Sequence, residues 1–173
     1  MQIFTIFAAK RQVKMMYGII VGVIVVLVIA IVLGRDALRK RRDRDRLSRE
    51  VHDTRRGLTF LVNENLEVED TNYFELNPDV EKKPPYLLGN VLHCQNGIDC
   101  GECGTGFACQ TCPVRYVLKN ALLQKRDFTA VDATMRLYDA VYKVQDVDVR
   151  LDGKLVTVNG EPRMLVKATF QEK

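Results

Sequence analysis

Twenty consecutive residues without a charge, MMYGIIVGVIVVLVIAIVLG at 15–34, lie between Lys14 and Arg35. At about 1.5 Å of rise per residue, a helix of that length covers the roughly 30 Å hydrocarbon core of a bilayer. Val and Ile are middling helix formers in water. In lipid, however, every backbone N–H and C=O must find its partner within the segment, and a single span can do so only as a helix. A cleaved signal peptide is disfavoured, because the run is too long and no small-x-small pattern precedes Arg35. One transmembrane helix is therefore predicted. Met15 or Met16 is an alternative start to Met1, and would leave almost nothing ahead of the span. Gly18 and Gly22 form a GxxxG, a spacing that permits close approach of two membrane helices and that also arises by chance.

Basic residues set the orientation. Lys10, Arg11 and Lys14 precede the span, whereas Arg35, Arg39, Lys40, Arg41, Arg42, Arg44, Arg46 and Arg49 follow it. Lys/Arg excess stays in the cytoplasm, and Asp36, Asp43 and Asp45 count for little in this rule. The short tail 1–14 is thus expected outside, and the C-terminal part in the cytoplasm of a bacterial-type inner membrane. The net charge of +4 is unevenly placed: residues 35–56 hold ten basic and five acidic side chains, and 57–173 are net −4. The basic segment can touch anionic lipid headgroups. An acidic folded part argues against nucleic-acid binding. Residues 35–56 are polar nearly all round and predict a solvated juxtamembrane helix, supported by i,i+4 pairs such as Asp36–Lys40. Leu38 and Leu47 are too sparse for a coiled-coil seam.

From Gly57 the pattern is that of one compact domain, 57–173, long enough for a single core. LTFLVN (58–63) and LEVED (66–70) alternate on either side of Glu64-Asn65 as a β-hairpin. Residues 71–77 form a short helical turn or loop, and 78–86, with three prolines, form a polar break. Pro113 opens a helix over 113–126 in which Val114, Val117, Leu118, Ala121 and Leu122 share a face. FTAVDATMRLY (128–138) follows. Strands at 147–151, 154–158 and 163–170 are then joined by the turn signals Asp152-Gly153 and Asn159-Gly160. The expected fold class is α+β.

All five cysteines fall within 94–112, as Cys94, Cys100, Cys103, Cys109 and Cys112, spaced C-x5-C-x2-C-x5-C-x2-C. In a reducing cytoplasm, metal binding or redox chemistry is favoured over a structural disulfide. Thiolates three residues apart can meet one ion, and Gly101, Gly104 and Gly106 let backbone approach sulfur without a Cβ in the way. Four thiolates hold either zinc or an iron–sulfur cluster. The gap between the two CxxC pairs is shorter than a zinc ribbon's spacer, and it lies nearer an iron–sulfur run without reproducing one. A reversible thiol switch with Cys100 spare, and thiols that only pack, are the other readings. His93, beside Cys94, reads as a structural histidine ahead of a ligand. No nucleotide loop, nucleophile elbow or HExxH motif is present. Glu67 and Glu69 alternate toward solvent, no residue is assigned as a catalyst, and no enzyme activity is expected.

The order of two strands, a helical middle, one longer helix and three strands resembles the PAS domain. LTFLVNENLEVEDTNYFELN (58–77) looks like its opening, where an Asn begins the short helix after two strands. VTVNGEPRMLVKATFQEK (156–173) is similar to its closing hairpin, with ATFQE in place of the acidic-Ile-Thr motif that often ends the domain. LLGNVLHCQN and CGTGFACQTCPVR resemble a cysteine-bearing subgroup found in bacterial membrane-anchored sensors, with Cys-x-Asn and then CG-x4-C-x2-C entering a helix. The resemblance covers roughly 57–173. It implies a five-stranded antiparallel sheet with helices on one face, preceded here by the transmembrane and juxtamembrane helices. It implies a sensory module that binds a cofactor or ligand, or dimerises, and passes a conformational change along its flanking helix. It also implies Cys94, Cys103, Cys109 and Cys112 as the shared metal-site cysteines, Cys100 being the extra one and an alternative ligand.

Expected partners are membrane lipid, a second copy of the chain, and a separate histidine kinase or other signalling protein, since no output domain follows within 173 residues. RDRLSREVHDTRRGL, around His52, resembles the phosphoacceptor segment of some histidine kinases. No ATP-binding Asn- and Gly-rich boxes follow it, so the match is read as an accident of a charged helix; phosphate at His52 would have to come from another protein. The leading expectation is a membrane-anchored sensor responsive to metal or redox state. A membrane-tethered iron–sulfur electron carrier and a zinc-stapled structural adaptor are the alternatives.

Overall fold

The structure is a computed structural model that describes residues 2–53, 57–84, 86–139 and 141–171. One helix, α1 (Gln2–Val51), carries the apolar run and continues through the charged segment. It is long and apolar enough to cross a membrane. Its Val, Ile and Leu side chains between Val21 and Leu33 are exposed on every side. The chain divides between Asp45 and Arg46 into two compact units, so the last turns of α1 belong with the sheet.

The second unit holds five strands: β1 (Leu58–Val62), β2 (Val68–Thr71), β3 (Phe128–Tyr138), β4 (Val144–Val158) and β5 (Glu161–Gln171). They form one antiparallel sheet in the order β2-β1-β5-β4-β3. Between β2 and β3 come the helices α2 (Tyr73–Leu76), α3 (Leu88–Val91), α4 (Gln95–Asp99), a 3-10 turn (Phe107–Thr111) and α5 (Pro113–Gln124). This is an α+β architecture with the five-stranded antiparallel sheet that the resemblance implies.

Successive side chains on a strand face opposite ways, and the sheet uses both faces. Leu58, Phe60 and Val62 of β1, Val149 and Leu151 of β4, and Met164, Val166 and Ala168 of β5 meet Leu88, Val91, Val114, Leu118 and Leu122 of the helical layer. The intervening residues Leu61 and Leu165 meet Val51 and Leu47 at the end of α1, with Val156 and Val158 alongside. β1 is therefore buried along its whole length, and Val51 is 0% exposed. Leu47, too isolated for a coiled-coil seam, is a docking residue for the sheet. The Thr59 hydroxyl donates to the Val51 carbonyl and fixes that docking from the strand side.

Asn72, which begins the short helix, is fully buried. Its Oδ1 accepts the Thr59 N–H at 2.8 Å, and its Nδ2 donates to the Gly57 carbonyl at 2.8 Å. Both ends of the amide are thus satisfied, which makes burial tolerable. The Asn159-Gly160 turn forms as expected, with both residues at positive φ and Val158 paired to Glu161.

Asp152-Gly153 is not a turn. β4 runs straight through it, paired with β3 on one side and β5 on the other. Gly153 is there because the Phe128 ring lies where a Cβ would project, and a strand glycine often marks such a close approach. The Asp152 carboxylate accepts the Ala130 N–H at 2.9 Å, at the irregularity in β3 between Phe128 and Val131. Two residues with turn chemistry are spent on a strand bulge and an aromatic ring.

Candidate functional site

The cysteine segment folds as short pieces because its glycines and its side chain-to-backbone bonds interrupt every helix. Cys94 is the N-cap of α4, and its backbone bridges to Leu137 at the end of β3. Asn90 on α3 then pins the loop: its Oδ1 accepts the Cys103 N–H at 2.7 Å and its Nδ2 donates to the Gly101 carbonyl at 3.2 Å. Cys109 is buried in the 3-10 turn, and Cys112 is the N-cap of α5, with Pro113 at the first helical position.

These pieces bring Cys94, Cys103, Cys109 and Cys112 to the lining of one cavity of about 40 Å³ beneath the helical layer. Leu66, Leu87, Leu88, Val114, Leu118 and Met135 form its apolar wall, and Asn96 and Arg115 are its other polar side chains. Cys100 is exposed and does not line it. His93 lines a different cavity, of about 530 Å³, so it does not join the thiols. Its backbone sits at φ 55° and its carbonyl accepts the Tyr138 N–H at 2.9 Å.

Close packing around the thiols depends on two glycines. A Cβ at Gly89 would stand 2.6 Å from Cys103 Sγ, and a Cβ at Gly104 would overlap the Arg115 guanidinium. Burial pushes the Cys94 thiol above its usual range, opposed by the backbone amides of Gly97 and Asn96 at the start of α4. Burial does the same to Cys103, opposed by the Gly89 amide and more weakly by the Arg115 guanidinium. Cys109 and Cys112 add to the rise at Cys94, and Cys109 and Cys94 to that at Cys103, so the four sulfurs act on each other's charge. Protons are therefore held on Cys94 and Cys103 at neutral pH, while amides and a guanidinium stand ready to support negative sulfur there.

Four thiols around one cavity have the donor chemistry for zinc or an iron–sulfur cluster. Among the described residues, though, no three Cys, His, Asp or Glu side chains converge closely enough to hold a metal ion. The thiols share a space without forming a closed cage. Gly89, Asn90 and Arg115 were not singled out from the sequence, although a glycine inside the apolar run LLGNVL is a sign of close approach.

Sheet order, helical layer and interior thiols together make an α+β domain with a cysteine-lined cavity. No family model matches the sequence, and no curated protein does. Among solved structures, the chain is similar to the crystal structure of a PAS domain from Desulfitobacterium hafniense. The two are 8% identical, with 66% of this chain and 92% of that chain covered and a TM-score of 0.39.

Proposed function

We propose that this protein is a membrane-anchored, non-enzymatic sensory module whose input is the thiol-lined cavity. The observation that carries the reading is the gathering of Cys94, Cys103, Cys109 and Cys112 around one space while Cys100 stays outside. A thiophilic metal centre, zinc or iron–sulfur, would be held by these four residues once their protons leave. It would supply a soft cationic centre whose binding depends on metal supply or redox state. Oxidation of two of the thiols to a disulfide is the metal-free form of the same input.

Each thiol is tied to a different element, so drawing them together moves more than a loop. Cys94 starts α4 and is bridged to β3, Cys103 hangs from α3 through Asn90, and Cys112 starts α5. The last turns of α1 lie on the opposite face of the same sheet. The sheet thus stands between input and output. Orientation follows from the basic residues after the span: α1 crosses the inner membrane, its arginines meet anionic headgroups, and the sensory domain is cytoplasmic. Output passes to a second copy of the chain or to a separate signalling partner such as a histidine kinase.

The test is the full chain, purified without oxygen in detergent, assayed for zinc, iron, acid-labile sulfide and self-association. Bound metal that is lost in each of C94S, C103S, C109S and C112S but kept in C100S, with a change of association on metal removal or oxidation, supports the sensor. Colourless zinc protein whose association never changes identifies a structural staple. A sulfide-bearing chromophore with fast reversible electron transfer and fixed association identifies a carrier. Folded, metal-free protein indifferent to peroxide defeats the proposal.

A further inference from the structure

We propose that the cavity of about 530 Å³ binds an organic ammonium ion, and that its occupant acts on Cys103 through Asn90. The cavity is lined from the 79–84 segment, from α3 and α4, and from the turn between β3 and β4. No residue that lines it also lines the thiol cavity. Its size is that of small-molecule sites, about 300–1,000 Å³.

Phe74, Tyr138 and Tyr142 line the cavity, and the two tyrosine rings lie 6.2 Å apart, tilted by 56°. Tyr138 is held in place, its hydroxyl donating to Asp99 at 2.7 Å. The face of an aromatic ring is negative and attracts a cation. Phe74 already does so, with Lys82 Nζ 5.3 Å from its centroid. Among the described residues, no cation stands over Tyr138 or Tyr142.

Charge on the lining has the same sign as the ring faces. Setting His93 aside, it carries three carboxylates and one ammonium. Glu81 and Lys83 pair with each other at 2.6 Å. Asp139 shapes the turn: its Oδ1 accepts the Val141 and Lys143 N–H groups at 2.9 and 2.8 Å, and its Oδ2 accepts from Gln145 at 3.0 Å. These donors, the Lys143 N–H foremost, hold its carboxyl below the usual range, so it is charged at neutral pH. The Asp79 carboxylate has no partner among the described residues. An anion would be repelled here, and an uncharged guest would leave Asp79 unanswered. A bare metal ion is not served either, since no three such groups converge among the described residues. An ammonium on an apolar body meets both the carboxylates and the ring faces, with Val80, Val91 and Ile98 beside them.

Asn90 and Gly101 also line this cavity. The Asn90 amide is the group that holds the Cys103 loop, through the Cys103 N–H at 2.7 Å and the Gly101 carbonyl at 3.2 Å. A molecule seated there touches that loop, and whatever it gains from a closed loop it returns as protection of the thiol. Only this coupling rests on the thiol cavity being the sensory input; binding of the cation does not.

The experiment uses the full chain, reduced, in nanodiscs of uncharged lipid, with empty nanodiscs as the blank. Ligand-observed NMR follows titration with 2-phenylethylammonium and with its uncharged analogue, 2-phenylethanol. The ammonium should bind at least about tenfold more tightly, the scale of one or two cation–aromatic contacts. D79N and Y142A, both at exposed positions, should each weaken it by about three- to tenfold and leave phenylethanol unchanged. Saturating ammonium should slow alkylation of Cys103, resolved by mass spectrometry, at least about twofold in wild type and not in the D79N/Y142A double variant. Equal affinity for the two probes overturns the site, as does ammonium binding that neither variant weakens. Binding with unchanged Cys103 alkylation overturns the coupling. Metal loading decides the thiol reading separately and leaves the binding result standing.

Discussion

Replacing Gly89 by alanine adds one carbon at the most crowded point of the cysteine cavity. The new Cβ would stand 2.6 Å from Cys103 Sγ, 3.0 Å from Cys103 Cβ and 3.4 Å from Cys94 Cβ. Carbon and sulfur need nearer about 3.5–4 Å, so the Cys103 side chain must retreat by about 1 Å. Gly89 lies inside α3, where alanine is the better helix former by roughly 0.5–1 kcal/mol. Overpacking a core costs about 1–3 kcal/mol, leaving a net loss centred on about 1 kcal/mol. That corresponds to a melting temperature lower by roughly 3–6 °C for a unit of this size. Gly97→Ala is the control: its Cβ would meet Gly89 C at 3.4 Å and Cys103 Cβ at 3.5 Å, which is ordinary contact. The assay is a thermal melt read with a thiol-reactive dye, which reports exposure of the interior cysteines. The chain has no tryptophan to serve instead. Metal uptake should weaken in G89A and persist in the control. If G89A melts no lower than Gly97→Ala and loads metal equally well, Cys103 is not packed against α3 and the cavity is misdrawn.

Asn72→Ala strands the Thr59 N–H and the Gly57 carbonyl, and should cost about 2–4 kcal/mol in urea denaturation; a loss under about 1 kcal/mol would show those groups finding other partners. Val51→Ala removes the fully buried contact of α1 with Leu61 and Leu165, and should lower stability by about 1–3 kcal/mol while raising hydrogen exchange in residues 47–53. Because burial raises the Cys94 and Cys103 thiols, the folded unit binds those protons more tightly than the unfolded chain. Stability from this source is intact below the ordinary thiol pKa of about 8.5 and falls as pH rises through the raised folded values. The denaturation midpoint of metal-free protein should therefore drop toward about pH 10, and drop less in the C94S/C103S double variant; a midpoint that does not move would remove burial as the cause.

Much of this protein could be read along the chain because the relevant signals are local. The apolar run, the Pro113 start of α5, the Asn159-Gly160 turn and the buried face of α5 all depend on residues a few positions apart. Asp152-Gly153 misled for the same reason. As a dipeptide it is a turn, and only Phe128, 25 residues earlier, makes it a strand position. Leu47 was only a sparse apolar residue on a charged helix until Leu61, Leu165, Val156 and Val158 came beneath it and Val51.

The cysteine segment divides along the same line. The family resemblance, not the spacing, implied Cys94, Cys103, Cys109 and Cys112 as a set and Cys100 as the extra one. It could not reveal that Asn90 hangs Cys103 from α3, that Arg115 lies over Gly104, or that the sulfurs ring a cavity without closing into a cage. Nor could it place the His52 ring between Asp70 and Glu75. Propensity and period act over one or two turns and are written in neighbouring letters. Which distant side chains share a wall, an amide or a proton is settled only when the sheet brings its strands together, because those contacts exist nowhere in the extended chain.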